Sequence, residues 1–277
     1  MDIEVIKTQF PNIKLDELYP LFPRILIADY PELEEYSWEE CHQGFMGAGG
    51  LFLVSEIAEK LELKTGMRVL DLCCGNGSSS IFLAKYFGVN VMAADIEADP
   101  TKNWERILEA GLTEKVTPIK MEARNLLFPH GYFDAIFCMN SYFYFGTDDL
   151  YLSYLMKFLR KGGRIGIASP CYAAELNPNI PEEFLYDAPD YAESFTVHSP
   201  DWWRNHFEKT GLVDIHTCEE NSKGREFWLD DVRWLLESCH PKDMTQMMRE
   251  MTLQEIVMLL TDQDRFVTYL NLIAEKR

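Results

Sequence analysis

The chain reads as an α/β fold built on a mostly parallel sheet with helices on both faces, and three observations predict it. From Arg68 onward, short apolar runs alternate with segments of helical period, the pattern of strands joined by helical crossovers. The runs VLDL and FDAIFCM are almost continuously apolar, as strands buried on both faces must be. The helical segments carry start and stop residues at their ends.

The elements follow in order. Pro11, Pro20, Pro23 and Pro31 break the start of the chain into short irregular helices. The glycine-rich CHQGFMGAGG then leads into a helix over Leu51 to Leu61 packed on the sheet. Seven strands are expected: RVLDL, NVMAAD, KVTPIK, FDAIFCMN, GRIGIAS, LVDIHTCEE and the closing FVTYLNLIAEK. SSSIFLAKYFG opens on serine and stops at Gly88; DPTKNWERILEAG has Asp99 as N-cap, Pro100 at its first position and Gly111 at its end. DDLYLSYLMKFLRKGG, HSPDWWRNHFEKTG, FWLDDVRWLLESC and LQEIVMLLTDQ complete the helices. This divides the chain into an N-terminal helical segment, 1–65, and a core, 66–277. Within the core, a Pro-, Asp- and Tyr-rich connection over 171–199 has the length and place of a lid, and 225–263 is a helical cap insertion.

Composition narrows the function. With 277 residues, 47% of them hydrophobic, the chain has enough apolar surface for one sizeable core. Its 26 Lys and Arg against 45 Asp and Glu leave a net charge of −19, which repels nucleic acid and anionic membrane surfaces and favours neutral or cationic small molecules. Seven cysteines at irregular spacing form no disulfide framework, and the adjacent Cys73 and Cys74 lack a CxxC or HxxxH companion, so no metal site is expected. No secretory leader is evident, and no apolar run approaches the roughly 18 residues of a membrane span. A cytoplasmic monomer or homodimer is expected.

The segment VLDLCCGNGSSS carries the cofactor argument. A buried strand ends at Asp71 and turns through Gly75 and Gly77 into a helix near Ser78, where glycines permit the dihedrals of the turn and let a ligand approach the backbone. Asp95 ends the next strand, where an acid can accept from ribose hydroxyls. Together these imply an adenosine-containing cofactor. The dinucleotide fingerprint would put Gly or Ala third, and that position is Ser80.

At these residues the chain resembles the class I S-adenosylmethionine-dependent methyltransferases, with Asp71, Gly75 and Gly77 matching their first motif and Cys73 standing where that motif has its first glycine. The likeness runs over about residues 66–170, through KMEARNLLFPHGYFDAIFCMN and LRKGGRIGIASP. Among these enzymes it looks most like the group containing cyclopropane-fatty-acid synthases and ubiquinone-pathway or small-amine methyltransferases. The resemblance implies a Rossmann-like seven-stranded sheet with a reversed last strand. It implies S-adenosyl-L-methionine as cofactor and S-adenosyl-L-homocysteine as product. Asp71 would face the methionine amino end, Cys73, Gly75 and Gly77 would form the floor, and Asp95 with Ile96 would hold the ribose side. Glu122 and Ala123 would meet the adenine, and Asn140 and Ser141 would line the transfer region.

Methyl transfer from a sulfonium is an in-line displacement that needs alignment and exclusion of water and no covalent residue. Candidates near the acceptor are His42 and Gln43 in the glycine-rich segment, Asn140, and Tyr142 and Tyr144 in the aromatic run 142–145. Tyr172, Tyr186, Tyr191 and His198 in and beside the suspected lid join them. An amine acceptor is favoured by the acidic, aromatic-rich composition. N-, O- and C-methylation and cyclopropane-type chemistry on a lipid or quinone-like acceptor stay open. So do a nicotinamide-dependent oxidoreductase and a noncatalytic cofactor-binding module.

Overall fold

The structure, a computed structural model, describes residues 22–45, 47–175, 196–238, 259 and 267–277. The expected helix over LQEIVMLLTDQ, the central part of the suspected lid with Tyr186 and Tyr191, and the larger part of the C-terminal insertion lie outside the described residues.

The seven strands are β1 (Arg68–Leu72), β2 (Asn90–Asp95), β3 (Val116–Lys120), β4 (Phe133–Met139), β5 (Leu159–Tyr172), β6 (Val213–Glu220) and β7 (Val267–Lys276). They form one sheet in the order β3-β2-β1-β4-β5-β7-β6. The first five pair in parallel, and β7 runs antiparallel between β5 and β6. Edge positions suit the sequences there: β3 carries Pro118, and β6 ends in charged residues, both of which discourage further pairing.

The described helices are α1 (Trp38–His42), α2 (Gly50–Lys60), α3 (Ser78–Phe87), α4 (Pro100–Glu109), α5 (Tyr151–Leu155), α6 (Pro200–Glu208) and α7 (Gly224–Ser238). α4 and α6 carry side-chain N-caps. Asp99 accepts from Thr101 N at 2.9 Å, and Ser199 accepts from Trp202 N at 3.3 Å, each cap contributing about 1 kcal/mol. None of the described helices is long and apolar enough to cross a membrane.

Side chains alternate between the two faces of the sheet. Val69, Ala135, Phe137 and Met139 join the core beneath α2 and α3, while Leu70, Leu72, Ile136 and Cys138 join a second core with Tyr142, α5 and α6. Close approach of α2 to β5 depends on Gly166, where a Cβ would stand 2.7 Å from Ile57 Cγ2.

One element is corrected. The helix expected over DDLYLSYLMKFLRKGG is a single short turn, α5, and β5 begins at Leu159, earlier than GRIGIAS suggests. A register shift pairs Phe133 with Leu159 before Ala135 meets Arg164. Buried Phe158 and Leu159 satisfy the apolar period by strand pairing instead of along a helix face. Gly163 makes this feasible, since a Cβ there would lie 2.8 Å from the Asp134 carbonyl.

Candidate active site

The sheet order reverses at β1 and β4: the chain proceeds outward from β1 through β2 to β3, then returns to the other side of β1 as β4. In open α/β sheets the crevice beyond the carboxyl ends of such strands takes the ligand. The loops after β1, β2 and β4 meet there.

After β1, the backbone N–H groups of Cys73 and Cys74 both donate to the Ala94 carbonyl, at 2.8 and 3.1 Å. Cys73 adopts φ +63°, a left-handed conformation that costs a residue with a Cβ about 1–2 kcal/mol. The backbone here keeps the glycine-type conformation of the first motif despite the substitution. Gly75 follows at φ +53°, and a Cβ on it would meet nothing within 4 Å. Gly77 is the N-cap of α3 at φ +84°. The buried Asn103 of α4 supports the loop from behind, donating from Nδ2 to the Gly75 carbonyl at 2.8 Å. Sequence reasoning missed Asn103; a lone amide on the apolar side of an amphipathic helix was the available signal.

Asp71 is 1% exposed. The hydroxyls of Ser79 and Ser80 each donate to its Oδ2 at 2.6 Å, tying β1 to the first turn of α3. Burial pushes its carboxyl up to about 6; the serine hydroxyls oppose the rise and the nearby Asp95 adds to it. These two hydrogen bonds make Asp71 a support of the loop.

Asp95 ends β2 and is half-buried. Its Oδ2 accepts from Gly75 N at 2.9 Å, and its Oδ1 accepts from Glu97 N at 2.7 Å and Ala98 N at 2.8 Å. A carboxylate has about four lone-pair directions, and the chain itself uses three of them. Ile96 beside it is 48% exposed. Beyond β3, Glu122 Oε1 accepts from Arg124 N at 3.1 Å, and the buried Ala123 takes the Tyr151 hydroxyl on its carbonyl at 3.1 Å.

A strap, 43–45 and 47–50 among the described residues, crosses these loops. The Gln43 carbonyl accepts from Ser78 Oγ at 3.3 Å, and the Ala48 carbonyl accepts from Asn140 Nδ2 at 3.2 Å. A Cβ on Gly44 would overlap Asn76 Nδ2, and one on Gly47 would stand 2.8 Å from Asn140 Nδ2. The glycines are thus required by contact with the loops after β1 and β4. Asn140 sits at φ +56° with its N–H on the Ala168 carbonyl at 2.9 Å, and Ser141 precedes the single turn Tyr142–Tyr144.

The other candidates differ in burial and in their partners. His42 is fully buried between Asp230 and the Trp38 carbonyl, each 2.8 Å from a ring nitrogen. Tyr142 is 1% exposed and packs against Phe145, Tyr151, Trp203 and Phe207, so it fills the second core. Gly146 exists to let that ring in, since a Cβ there would overlap it. Tyr144 is 47% exposed beside Arg124, whose guanidinium donates to the Tyr144 carbonyl at 3.1 Å. His198 lies 3.1 Å from Glu175 and stacks on Trp202 with ring centres 3.7 Å apart. Tyr172 is buried at the end of β5.

A reversed-β7 sheet, a glycine loop at the switch point and an acid ending β2 make up the Rossmann-like fold of the class I S-adenosylmethionine-dependent methyltransferases, and the chain is similar to them. Residues 69–163 match the family model for the methyltransferase domain. Phosphoethanolamine N-methyltransferase 1 of Arabidopsis thaliana is 29% identical over 130 residues, 47% of this chain and 26% of that protein. Methyltransferase GfsG of Streptomyces halstedii is 27% identical over 124 residues, 44% of this chain and 45% of that one. The chain therefore aligns with less than half the length of either relative. In fold it is similar to Haemonchus contortus phosphoethanolamine N-methyltransferase 2, solved with S-adenosyl-L-methionine (TM-score 0.67, 17% identity, 91% of this chain and 60% of that one). It is also similar to the [4+2]-cyclase SpnF (TM-score 0.66, 19% identity, 81% and 79%).

Proposed function

We propose that this chain transfers the methyl group of S-adenosylmethionine to a small-molecule acceptor, an amine being the favoured class. The observation that carries the reading is the space at Gly75: a left-handed glycine whose Cβ would project into the open, flanked by the Asp95 carboxylate. That is a cradle for a ligand lying against the backbone. When bound, S-adenosylmethionine supplies an electrophilic methyl group on a sulfonium. The residues that would hold it are Asp95 and Ile96 at the ribose side, Glu122 and Ala123 at the adenine, and Cys73, Gly75 and Gly77 beneath. Asn140 and Ser141 would stand beside the transfer region. Asp71 fixes the loop from below, and the strap excludes water from above.

An amine attacks only when unprotonated, so a nearby group must take its proton. His198, held by Glu175, is the candidate among the described residues, and the exposed Tyr144 ring offers a face for a cationic acceptor. The net charge of −19 and the phosphoethanolamine N-methyltransferases among the relatives support the amine class. The described cysteines are free thiols, in keeping with the cytoplasmic setting we propose. O-methylation, C-methylation and cyclopropane-type chemistry are the competing outcomes. Proteins of similar fold include the [4+2]-cyclase SpnF and a geranyl diphosphate C-methyltransferase.

The test is calorimetric titration of S-adenosylmethionine into wild type and Asp95→Ala, followed by detection of S-adenosylhomocysteine over an acceptor panel, amines first. Saturable binding weakened about tenfold or more by the substitution is expected, matching the loss of one charged hydrogen bond. Absence of binding in folded wild type overturns the cofactor assignment, and binding without product on any acceptor overturns the enzyme.

A further inference from the structure

His42 immediately precedes the strap, and its surroundings set its charge. Nδ1 lies 2.8 Å from the Trp38 carbonyl and Nε2 lies 2.8 Å from Asp230 Oδ2. Both partners only accept. A neutral imidazole has one N–H, so both contacts are satisfied only by the doubly protonated ring. The carboxylate opposite is fixed in turn: Asp230 Oδ1 accepts from Trp38 Nε1 at 3.0 Å and from Ile25 N at 2.9 Å. Histidine and aspartate side chains are 0% and 1% exposed, and the ring is stacked on Trp234 at 5.6 Å and flanked by Trp38 and Phe52.

This buried ion pair joins α1 to α7 at the point where the strap begins. At its other end the strap is held by α2, whose first residue, Gly50, leaves no room for a Cβ against the Cys41 carbonyl. Between the two anchors, Gln43, Gly44, Gly47 and Ala48 contact Asn76, Ser78 and Asn140 of the cofactor loops. We infer that His42, as an imidazolium paired with Asp230, is a positioning residue that holds the 43–50 strap against the loops after β1 and β4, so that cofactor affinity depends on its proton. The inference rests on the cofactor reading above.

The titratable groups around the ring agree. On α7, Asp230 and Asp231 both favour the cation; on α1, the Cys41 thiol is pushed up to about 12 by burial and stays neutral; Arg24 lies beyond the indole of Trp38, 4.2 Å from its ring centre; α2 presents only Phe52. Burial favours the neutral ring, but the Asp230 hydrogen bond and charge outweigh it and raise the histidine above its ordinary value. A raised histidine contributes its anchoring fully below its unfolded value of about 6.5 and loses it as pH climbs through the folded one.

The experiment is S-adenosylmethionine titration from about pH 6 to about pH 9.5 with wild type, His42→Gln and Asp230→Asn, alongside the NMR titration of the His42 ring. The ring is expected to titrate above its ordinary value, with wild-type affinity falling about tenfold across that same window as one charge-assisted hydrogen bond is lost. Asp230→Asn keeps an oxygen for Trp38 and Ile25 and offers an amide to a neutral ring, so its affinity is expected to be flat with pH; a merely structural role would not flatten it. Wild-type affinity that stays constant while His42 titrates, or a ring already neutral at about pH 6.5, overturns the inference. Should wild type bind no S-adenosylmethionine at all, the cofactor reading fails by itself. The anchor is then judged by hydrogen exchange of the 43–50 amides, which must lose protection as His42 loses its proton.

Discussion

Asp71→Asn tests the most unusual electrostatic feature of the site. The carboxyl moves from an ordinary 3.8 to about 6 because burial disfavours its charge. Moving it that far costs the charged form about 3 kcal/mol at neutral pH. The sign follows: between these two values the folded protein keeps a proton that the unfolded chain has released, so stability falls as pH rises across this window. Asparagine keeps an oxygen for the Ser79 and Ser80 hydroxyls and removes the charge. Its amide nitrogen is a new buried donor, which costs about 1–3 kcal/mol if it finds no acceptor. The variant should therefore be as stable as wild type at neutral pH or up to about 2 kcal/mol more stable, and its stability should lose the descending limb between pH 4 and about 6. Urea denaturation of both proteins at a series of pH values reads this directly. Retention of the wild-type slope would show that another group causes it, and a loss of more than about 3 kcal/mol at neutral pH would show that the charged carboxylate stabilises the loop; either result would refute the reasoning.

Two further predictions separate ligand contact from packing. Gly75→Ala places a methyl group in open space at a left-handed φ, so thermal stability should fall by only about 1–2 kcal/mol while S-adenosylmethionine binding is abolished; a variant that binds like wild type would remove Gly75 from the cradle. Tyr142→Phe removes a buried hydroxyl that has no hydrogen-bond partner among the described residues, so stability should rise by about 1 kcal/mol or more, read as a higher melting temperature, with methyl transfer unchanged. Lost turnover in a stable Tyr142→Phe protein would return that tyrosine to the reaction.

Much of the architecture was legible in the sequence because it is written in local patterns. β1 and β2 fall on RVLDL and NVMAAD, and Asp99 caps α4 with Pro100 at its first position, because strand alternation and capping depend on neighbours a few residues apart. The glycine loop was legible for the same reason. The short α5 was not, because whether YLSYLMKFL buries its apolar residues on a helix face or in a strand pair depends on a register set by Phe133, distant in sequence.

By itself, then, the sequence determined the alternating α/β frame, the turn at Gly75 and Gly77 and the acid at the end of β2, all consequences of short-range dihedral and periodic constraints. Only the tertiary structure decided how side chains are used. It put the ring of Tyr142 into the core and turned Asp71 toward two serine hydroxyls. It spent most of Asp95 on backbone N–H groups, and it joined His42 to Asp230, 188 residues along the chain. Burial and hydrogen-bond partnership are properties of groups brought together by the fold, and the chemistry of a carboxylate or an imidazole is set by them, not by its place in a motif.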